Sequence, residues 1–311
     1  MRVAVLDLGT NTFNLLVASR DGGEGLHVVH SEEIPVFLGK GGIEKGLITE
    51  DAFERGLDAI AKHMARARSL GAERIQGIGT SALRNARNAE AFIRAAHDRS
   101  GLHLRVISGY EEADLILEGV RQALPFGNRP VLVMDIGGGS IEFILATEKA
   151  LMWKQSFELG VTRLRERVPL SDPPALDEEL RVAAHLDDRL EPLWNVIDRH
   201  EPHVLVGSAG SFDSLARMVA DQEGKVLASD ATTFAFDALA FDALKEKLLL
   251  MDRIQRLLVP GLPEHRVDSI AYGMIAIERV LTAGNIRELS WSRYALKEGS
   301  AMRLLKDQRP A

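Results

Sequence analysis

Two stretches of nearly the same design constrain this chain more than any other feature. The second, and the more explicit, is Val131-Leu-Val-Met-Asp135-Ile-Gly137-Gly138-Gly139-Ser140-Ile-Glu142-Phe-Ile-Leu-Ala146. An apolar run of β-formers reaches an Asp, breaks into three glycines and a Ser, then resumes, which predicts a β-hairpin with a turn bare of side chains. Glycine allows successive backbone amides to converge, and no Cβ blocks the approach of phosphate oxygens. Asp135 at the strand end would sit where a hydrated divalent cation can bridge protein and phosphate. Taken alone, such a turn is equally explained as a tight hairpin and nothing more.

The first stretch is Val3-Ala-Val-Leu-Asp7-Leu-Gly9-Thr10-Asn11-Thr12-Phe-Asn14-Leu-Leu-Val-Ala18, which repeats the order strand, Asp, apolar residue, Gly, small polar residues, strand. Asp7 and Asp135 lie 128 positions apart, which predicts two similarly built domains, each with an anion-binding hairpin. A length of 311 residues accommodates two full cores. Between them, Pro125-Phe-Gly-Asn-Arg-Pro130 is turn-rich and marks the expected boundary and hinge. The net charge of −7 excludes a general basic field for nucleic acid or an anionic membrane, so a polyanionic substrate must meet a local Arg and Lys cluster. No cysteine is present, which removes disulfides and thiolate chemistry and suits a reducing compartment. The apolar N-terminal run is too short for a signal or a span, and the expected location is cytoplasmic. No His spacing points to zinc.

Between the hairpins the chain alternates strands and helices. Residues 26–36 read as a strand, Gly39–Gly46 as a glycine-rich loop bearing Lys40 and Lys45, and 49–71 as a helix capped by Thr49. The strand at 74–79 runs into Thr80-Ser81-Ala-Leu-Arg84, and ligands in α/β folds gather at carboxyl strand ends. Arg84 is therefore the expected phosphate clamp, its guanidinium matching two oxygens. The next strand, 103–107, delivers Glu111 and Glu112 into the first turn of a helix. One reading is favourable placement near the helix dipole; the other is a carboxylate that acts as general base on an attacking water.

In order and spacing, Asp7-Leu-Gly-Thr-Asn-Thr12, Gly79-Thr-Ser-Ala-Leu-Arg84-Asn-Ala-Arg-Asn88, Ser108-Gly-Tyr-Glu-Glu112-Ala and Asp135–Glu142 resemble the motifs of the exopolyphosphatase/guanosine pentaphosphate phosphatase family. That family lies within the superfamily of actin, chaperone ATPases and sugar kinases. The resemblance implies an α/β fold of two actin-like, ribonuclease H-like lobes, each a mixed sheet flanked by helices, with an interdomain cleft. It implies domain I over 1–125 plus about 298–311 and domain II over 126–297. It places the catalytic Glu at Glu112, with Glu111 as the alternative. Asp7, Gly9, Thr10, Asn11, Thr12, Arg84, Gly137, Gly138, Gly139 and Ser140 are then expected on phosphate, and Asp135 and Glu142 on Mg2+ or another divalent cation. The implied partner is inorganic polyphosphate or guanosine pentaphosphate, with no nucleic acid or membrane and with room for a homodimer. Two positions depart from the family pattern: Asn14 stands where many relatives carry Arg or His, and Ile141 replaces a common Thr. The chain also ends where longer members add a helical domain, which counts against processive binding of very long polyphosphate.

The second half continues the same way. Residues 152–158 read as a third strand, and a short helix follows whose N-terminus could face the cleft with Arg163 or Arg165 supplying charge, though solvated side chains explain these arginines better. A helix over 176–199 should kink or divide at Pro192. A strand at 203–206 leads into Gly207-Ser208-Ala-Gly210-Ser211 and a helix, a further anion or nucleotide contact. Helices are expected over 239–258 and 264–281, the latter bearing Arg266, which the resemblance brings to the cleft and which a salt bridge at the helix start explains equally well. Residues 286–290 read as a strand, and Tyr294–Gly299 resembles the family's final motif. An ATP-binding switch or kinase-like module of the same superfamily is the reading from another class.

Overall fold

A computed structural model describes residues 1–20, 25–228 and 230–307. The chain divides into two compact units, Met1–Gln122 with Tyr294–Ala311, and Ala123–Arg293. Each is considered in turn. The last four residues of the expected domain I, 308–311, lie outside the described residues.

In the first unit β1 (Arg2–Leu8), β2 (Thr12–Ser19) and β3 (His27–Pro35) form an antiparallel meander. The helix α1 (Glu50–Ser69) follows, then β4 (Arg74–Gly79), the short α2 (Ser81–Asn85), α3 (Ala89–Ser100), β5 (Leu104–Val106) and α4 (Gly109–Ala123). β4 is parallel to β1 and β5 to β4, so the mixed sheet has the order β3-β2-β1-β4-β5. β1 is buried along nearly its whole length, which is why its sequence is a continuous apolar run and not an alternating one. Thr49 stands at the N-cap expected of it and Asn88 at the N-cap of α3, neither with a capping side-chain bond; Asn88 instead binds both backbone groups of Ile48.

The second unit repeats the plan. β6 (Val131–Ile136), β7 (Ile141–Ala146) and β8 (Leu151–Phe157) form a meander. α5 (Val161–Arg167), α6 (Leu176–Arg189), α7 (Glu191–His200), β9 (Val204–Ser208) and α8 (Ala209–Gln222) come next. The remainder is β10 (Thr233–Asp237), α9 (Ala238–Leu249), α10 (Arg253–Leu257), α11 (Ile270–Gly284) and β11 (Glu288–Ser292). The sheet order is β10-β11-β9-β6-β7-β8, in which β8-β7-β6-β9-β11 corresponds to the first sheet and β10 is an added edge strand. Its core is built on Phe143, Phe212 and Phe241, all fully buried.

Two expectations are corrected here. The single helix over 239–258 is broken between α9 and α10, because the Asp252 side chain accepts from the Gln255 amide and starts a new helix. The helix expected from 264 begins at Ile270; Glu264–Arg266 is a 3-10 turn after Pro263. The strand β10 has no counterpart in the sequence reading. The division of 176–199 before Pro192 is observed as expected.

The final helix, α12 (Leu296–Lys306), belongs to the first unit and packs on β1 and β2, with α4 close beside it. Gly119 and Gly299 let α4 and α12 approach closely, since a Cβ at either would fall 2.0 Å or 1.9 Å from a carbonyl of the other helix's segment. Arg303 of α12 also grips Glu118 of α4 through Nε and Nη2, both groups about two-fifths exposed. Screening at that exposure limits the pair, so Arg303→Met is expected to lower stability by no more than about 1 kcal/mol in urea unfolding. A loss several times larger would show that this pair, and not the helix packing, holds α12. Among the described residues no helix is long and apolar enough to cross a membrane.

Candidate functional site

In the second unit, strand register places four polar residues in one row. Ser208 on β9 is opposite Asp135 on β6, Asp135 opposite Glu142 on β7, and Glu142 opposite Ser156 on β8. The Ser208 hydroxyl donates to Asp135 Oδ2 at 2.6 Å, and the Ser156 hydroxyl to Glu142 Oε1 at 2.6 Å. Two buried carboxylates thus stand directly opposite each other, flanked by hydroxyl donors. Like charges so placed repel, and a cation between them relieves that repulsion.

The turn after Asp135 is held from one side. Carbonyls of Gly137 and Gly138 accept from the amides of Val161 and Thr162 at the start of α5, at 3.1 and 2.8 Å. Because N–H and C=O are antiparallel across a trans peptide, the amides of Gly138 and Gly139 point the other way, as an anion requires. Arg163 corrects the sequence reading: it is buried, with Nε donating to the Gly139 carbonyl at 3.0 Å and Nη2 to Glu158 at 2.8 Å. Arg165 is half exposed and pairs with Asp268.

The first unit carries the same device. The carbonyl of Thr10 accepts from the Gly39 amide, and that of Asn11 from the amides of Val36 and Phe37, at 2.8 to 3.2 Å. The amides of Asn11 and Thr12 are thereby turned away from that segment. Thr10 is buried against Gly39, and Gly9 closes the turn onto the Thr12 carbonyl. The glycine-rich loop at 39–46 is thus packed behind the hairpin, whereas Lys40 and Lys45 are exposed. Asn14 is opposite Asp7, the place Glu142 takes opposite Asp135, and its Nδ2 donates to Asp7 Oδ2 at 3.3 Å. Burial pushes the Asp7 carboxyl up to about 6; Lys297 and the Asn14 bond pull it down, and Glu298 pushes it further up. Lys297 and Glu298, 3.1 Å apart, reach this hairpin from α12. The sequence reading named neither, because the final motif carries no strand-end signal.

Glu112 is buried in the first turn of α4, and its Oε2 accepts from Arg84 Nη1 at 2.8 Å. Arg84 also donates to the Ile107 carbonyl at 3.2 Å. The structure therefore brings Arg84 to the carboxylate, from where the guanidinium orients it. The two glutamates are separated: Glu111 turns to the exposed Arg105, at 2.6 Å.

The secondary candidates cluster in the second unit. Ala209 makes the β9–α8 turn at φ +63°, a left-handed conformation uncommon for a residue with a side chain. The Arg266 guanidinium packs on Gly210 and donates to Ser214 Oγ at 3.3 Å. Ser211 is buried against Gly273, and the ring of Phe212 fills the space that a Cβ on Gly207 would need, so that glycine serves the core. Among the described residues no group of three or more His, Cys, Asp or Glu forms a metal cluster. The Asp135 and Glu142 pair nonetheless suits magnesium, which commonly takes one or two carboxylates and completes its shell with waters and substrate phosphate oxygens.

Comparison with known proteins follows the same lines. The profile of the Ppx/GppA phosphatase family matches residues 16–308. Exopolyphosphatase 2 of Mycobacterium tuberculosis is 31% identical over 97% of this chain and 98% of its own. The crystal structure of an exopolyphosphatase from Cytophaga hutchinsonii superposes with a TM-score of 0.96 at 35% identity, covering 99% of both chains. An Aquifex aeolicus Ppx/GppA enzyme shares the fold, with a TM-score of 0.79 at 24% identity over 97% of this chain and 99% of its own.

Proposed function

Because the chain belongs to the Ppx/GppA phosphatase family, we propose that it is an exopolyphosphatase that hydrolyses the terminal phosphate of inorganic polyphosphate. The observation that carries the reading is the pair of hairpin turns whose carbonyls are tied back, leaving consecutive amides turned outward beside a strand-end Asp. The names of the relatives quoted above favour polyphosphate over guanosine pentaphosphate.

Phosphoanhydride hydrolysis proceeds by in-line attack of water through a state whose charge lies on the equatorial oxygens of the transferred group. The amides of Gly138 and Gly139, with Ser140, would bind those oxygens, and the amides of Asn11 and Thr12 would take phosphate at the first hairpin. Asp135 and Glu142 would hold Mg2+ or another divalent cation, which when bound neutralises charge on phosphate oxygens. Ser208 and Ser156 keep these two carboxylates oriented. Glu112, aimed by Arg84, would accept the proton of the attacking water. The bond broken is the terminal P–O–P bridge, and the proton on Glu112 returns to solvent or to the leaving phosphate.

Release of phosphate from polyphosphate, guanosine pentaphosphate and ATP, each with and without magnesium, tests this. Rapid magnesium-dependent release from polyphosphate is expected. Faster release from guanosine pentaphosphate would transfer the activity to that substrate, and release from ATP alone would identify a nucleotide-dependent module instead. Undiminished release after exhaustive chelation would remove the metal role of Asp135 and Glu142.

A further inference from the structure

We propose that Arg163 and Glu158 are positioning residues that set one of the anion-binding amides of the second hairpin, that of Ser140. The inference rests on the reading that this turn takes a phosphate.

Three successive carbonyls of the turn are tied to one side. Those of Gly137 and Gly138 are held by backbone amides of α5, which any sequence supplies; that of Gly139 is held by the Arg163 side chain, at 3.0 Å from Nε. Of the three peptides, only Gly139–Ser140 depends for this bond on a side chain. By the planarity of that peptide, the bond turns the Ser140 amide to the side faced by the amides of Gly138 and Gly139. Ser140 is the residue that leads into β7 and, two positions on, to Glu142.

Arg163 is itself held. Glu158 Oε2 accepts from its Nε at 3.1 Å and its Nη2 at 2.8 Å, and the guanidinium is almost wholly buried. Glu158 and Arg163 thereby form a clasp around Leu159-Gly160, between the end of β8 and α5. Inside the clasp Gly160 lies against the Gly138–Gly139 peptide: a Cβ there would come 2.4 Å from both Gly138 C and Gly139 N, so only glycine lets α5 close onto the turn. A cation bonded to a peptide carbonyl also polarises that peptide and makes its N–H a stronger donor. The pair thus acts on phosphate through one peptide, without touching the phosphate.

The test uses tripolyphosphate as probe, read by calorimetry and by the backbone amide signals of Gly138, Gly139 and Ser140. All three signals of the wild type should shift on titration; if none does, the phosphate reading fails before any variant is made. Arg163→Met should bind tripolyphosphate about 10- to 100-fold more weakly, the range typical of residues that orient a binding group. Its Ser140 signal should no longer respond while those of Gly138 and Gly139 still do. Arg163→Lys should recover part of the affinity. Equal shifts of all three signals and wild-type affinity in Arg163→Met would overturn the proposal. If that variant does not fold, Glu158→Gln replaces it: a several-fold loss confined to the Ser140 response supports the clasp, and no change in affinity or in that response refutes it.

Discussion

Glu112→Gln is expected to reduce turnover on polyphosphate by about 10²- to 10⁴-fold, the usual contribution of a general base, while KM stays within about threefold. In free energy that is about 3–5 kcal/mol on the barrier. The geometry makes the substitution informative. Glu112 is buried and its Oε2 lies 2.8 Å from Arg84 Nη1. Gln fills the same volume and its amide oxygen still accepts from Arg84, so the helix start and the guanidinium keep their places. What Gln loses is the ability to take a proton. If Glu112 served only as the counter-ion of Arg84, the variant would lose a little stability and almost no turnover. Steady-state kinetics with a urea titration separates the cases, and full activity in a slightly less stable protein would leave the reaction without its base.

The parts of the molecule legible in the sequence are those whose signals are local. Each Asp-Gly hairpin is written in a dozen residues, and the repeat across 128 positions foretells two sheets of corresponding strand order. Glycine turns and β-formers act through backbone sterics, which a short window contains. Long-range partners are not so written. Arg84 reads as a phosphate clamp, and nothing near it in sequence shows that its Nη1 also meets Glu112, 28 positions later. Arg163 reads as a solvated side chain, because nothing near it in sequence shows that α5 folds back onto Gly137–Gly139. The one available clue was Gly160, a glycine between a strand and a helix where no turn of left-handed φ demands it. Lys297 and Glu298 were missed for the same reason: they lie some 290 positions from Asp7, and only the packing of α12 on β1 brings them near. The broken helix at 250–252 fails differently. Leu248, Leu249, Leu250 and Met251 carry the apolar pattern through the break, and a capping Asp overrides it.

Asp7→Asn is expected to stabilise the protein near pH 8 and to impair it as an enzyme. Burial raises the Asp7 carboxyl from 3.8 to about 6, against the pull of Lys297 and Asn14. A carboxyl whose folded value exceeds its unfolded value binds protons more tightly in the native state, so native stability falls as pH rises between those two values. Below about pH 3 the group is neutral in both states and contributes no penalty; above about 6 the penalty is nearly complete. A shift of about two units corresponds to about 3 kcal/mol at most, and partial exposure of Asp7 reduces this to about 1–2 kcal/mol. Asn at this position has no charge to desolvate and still accepts from Asn14 Nδ2, while Lys297 keeps Glu298 at 3.1 Å. Urea unfolding of both proteins from about pH 3 to pH 8 should therefore show curves that coincide at the acid end and separate through the window from about 4 to about 6, with the variant the more stable. A gain that persists undiminished at about pH 3 would mean that packing, not charge, is the cause, and no gain at about pH 8 would mean that Asp7 is solvated. Phosphate release by the same variant decides what the buried charge is for. If it falls by tenfold or more while stability rises, the first hairpin holds a carboxylate that weakens the fold because the reaction requires it.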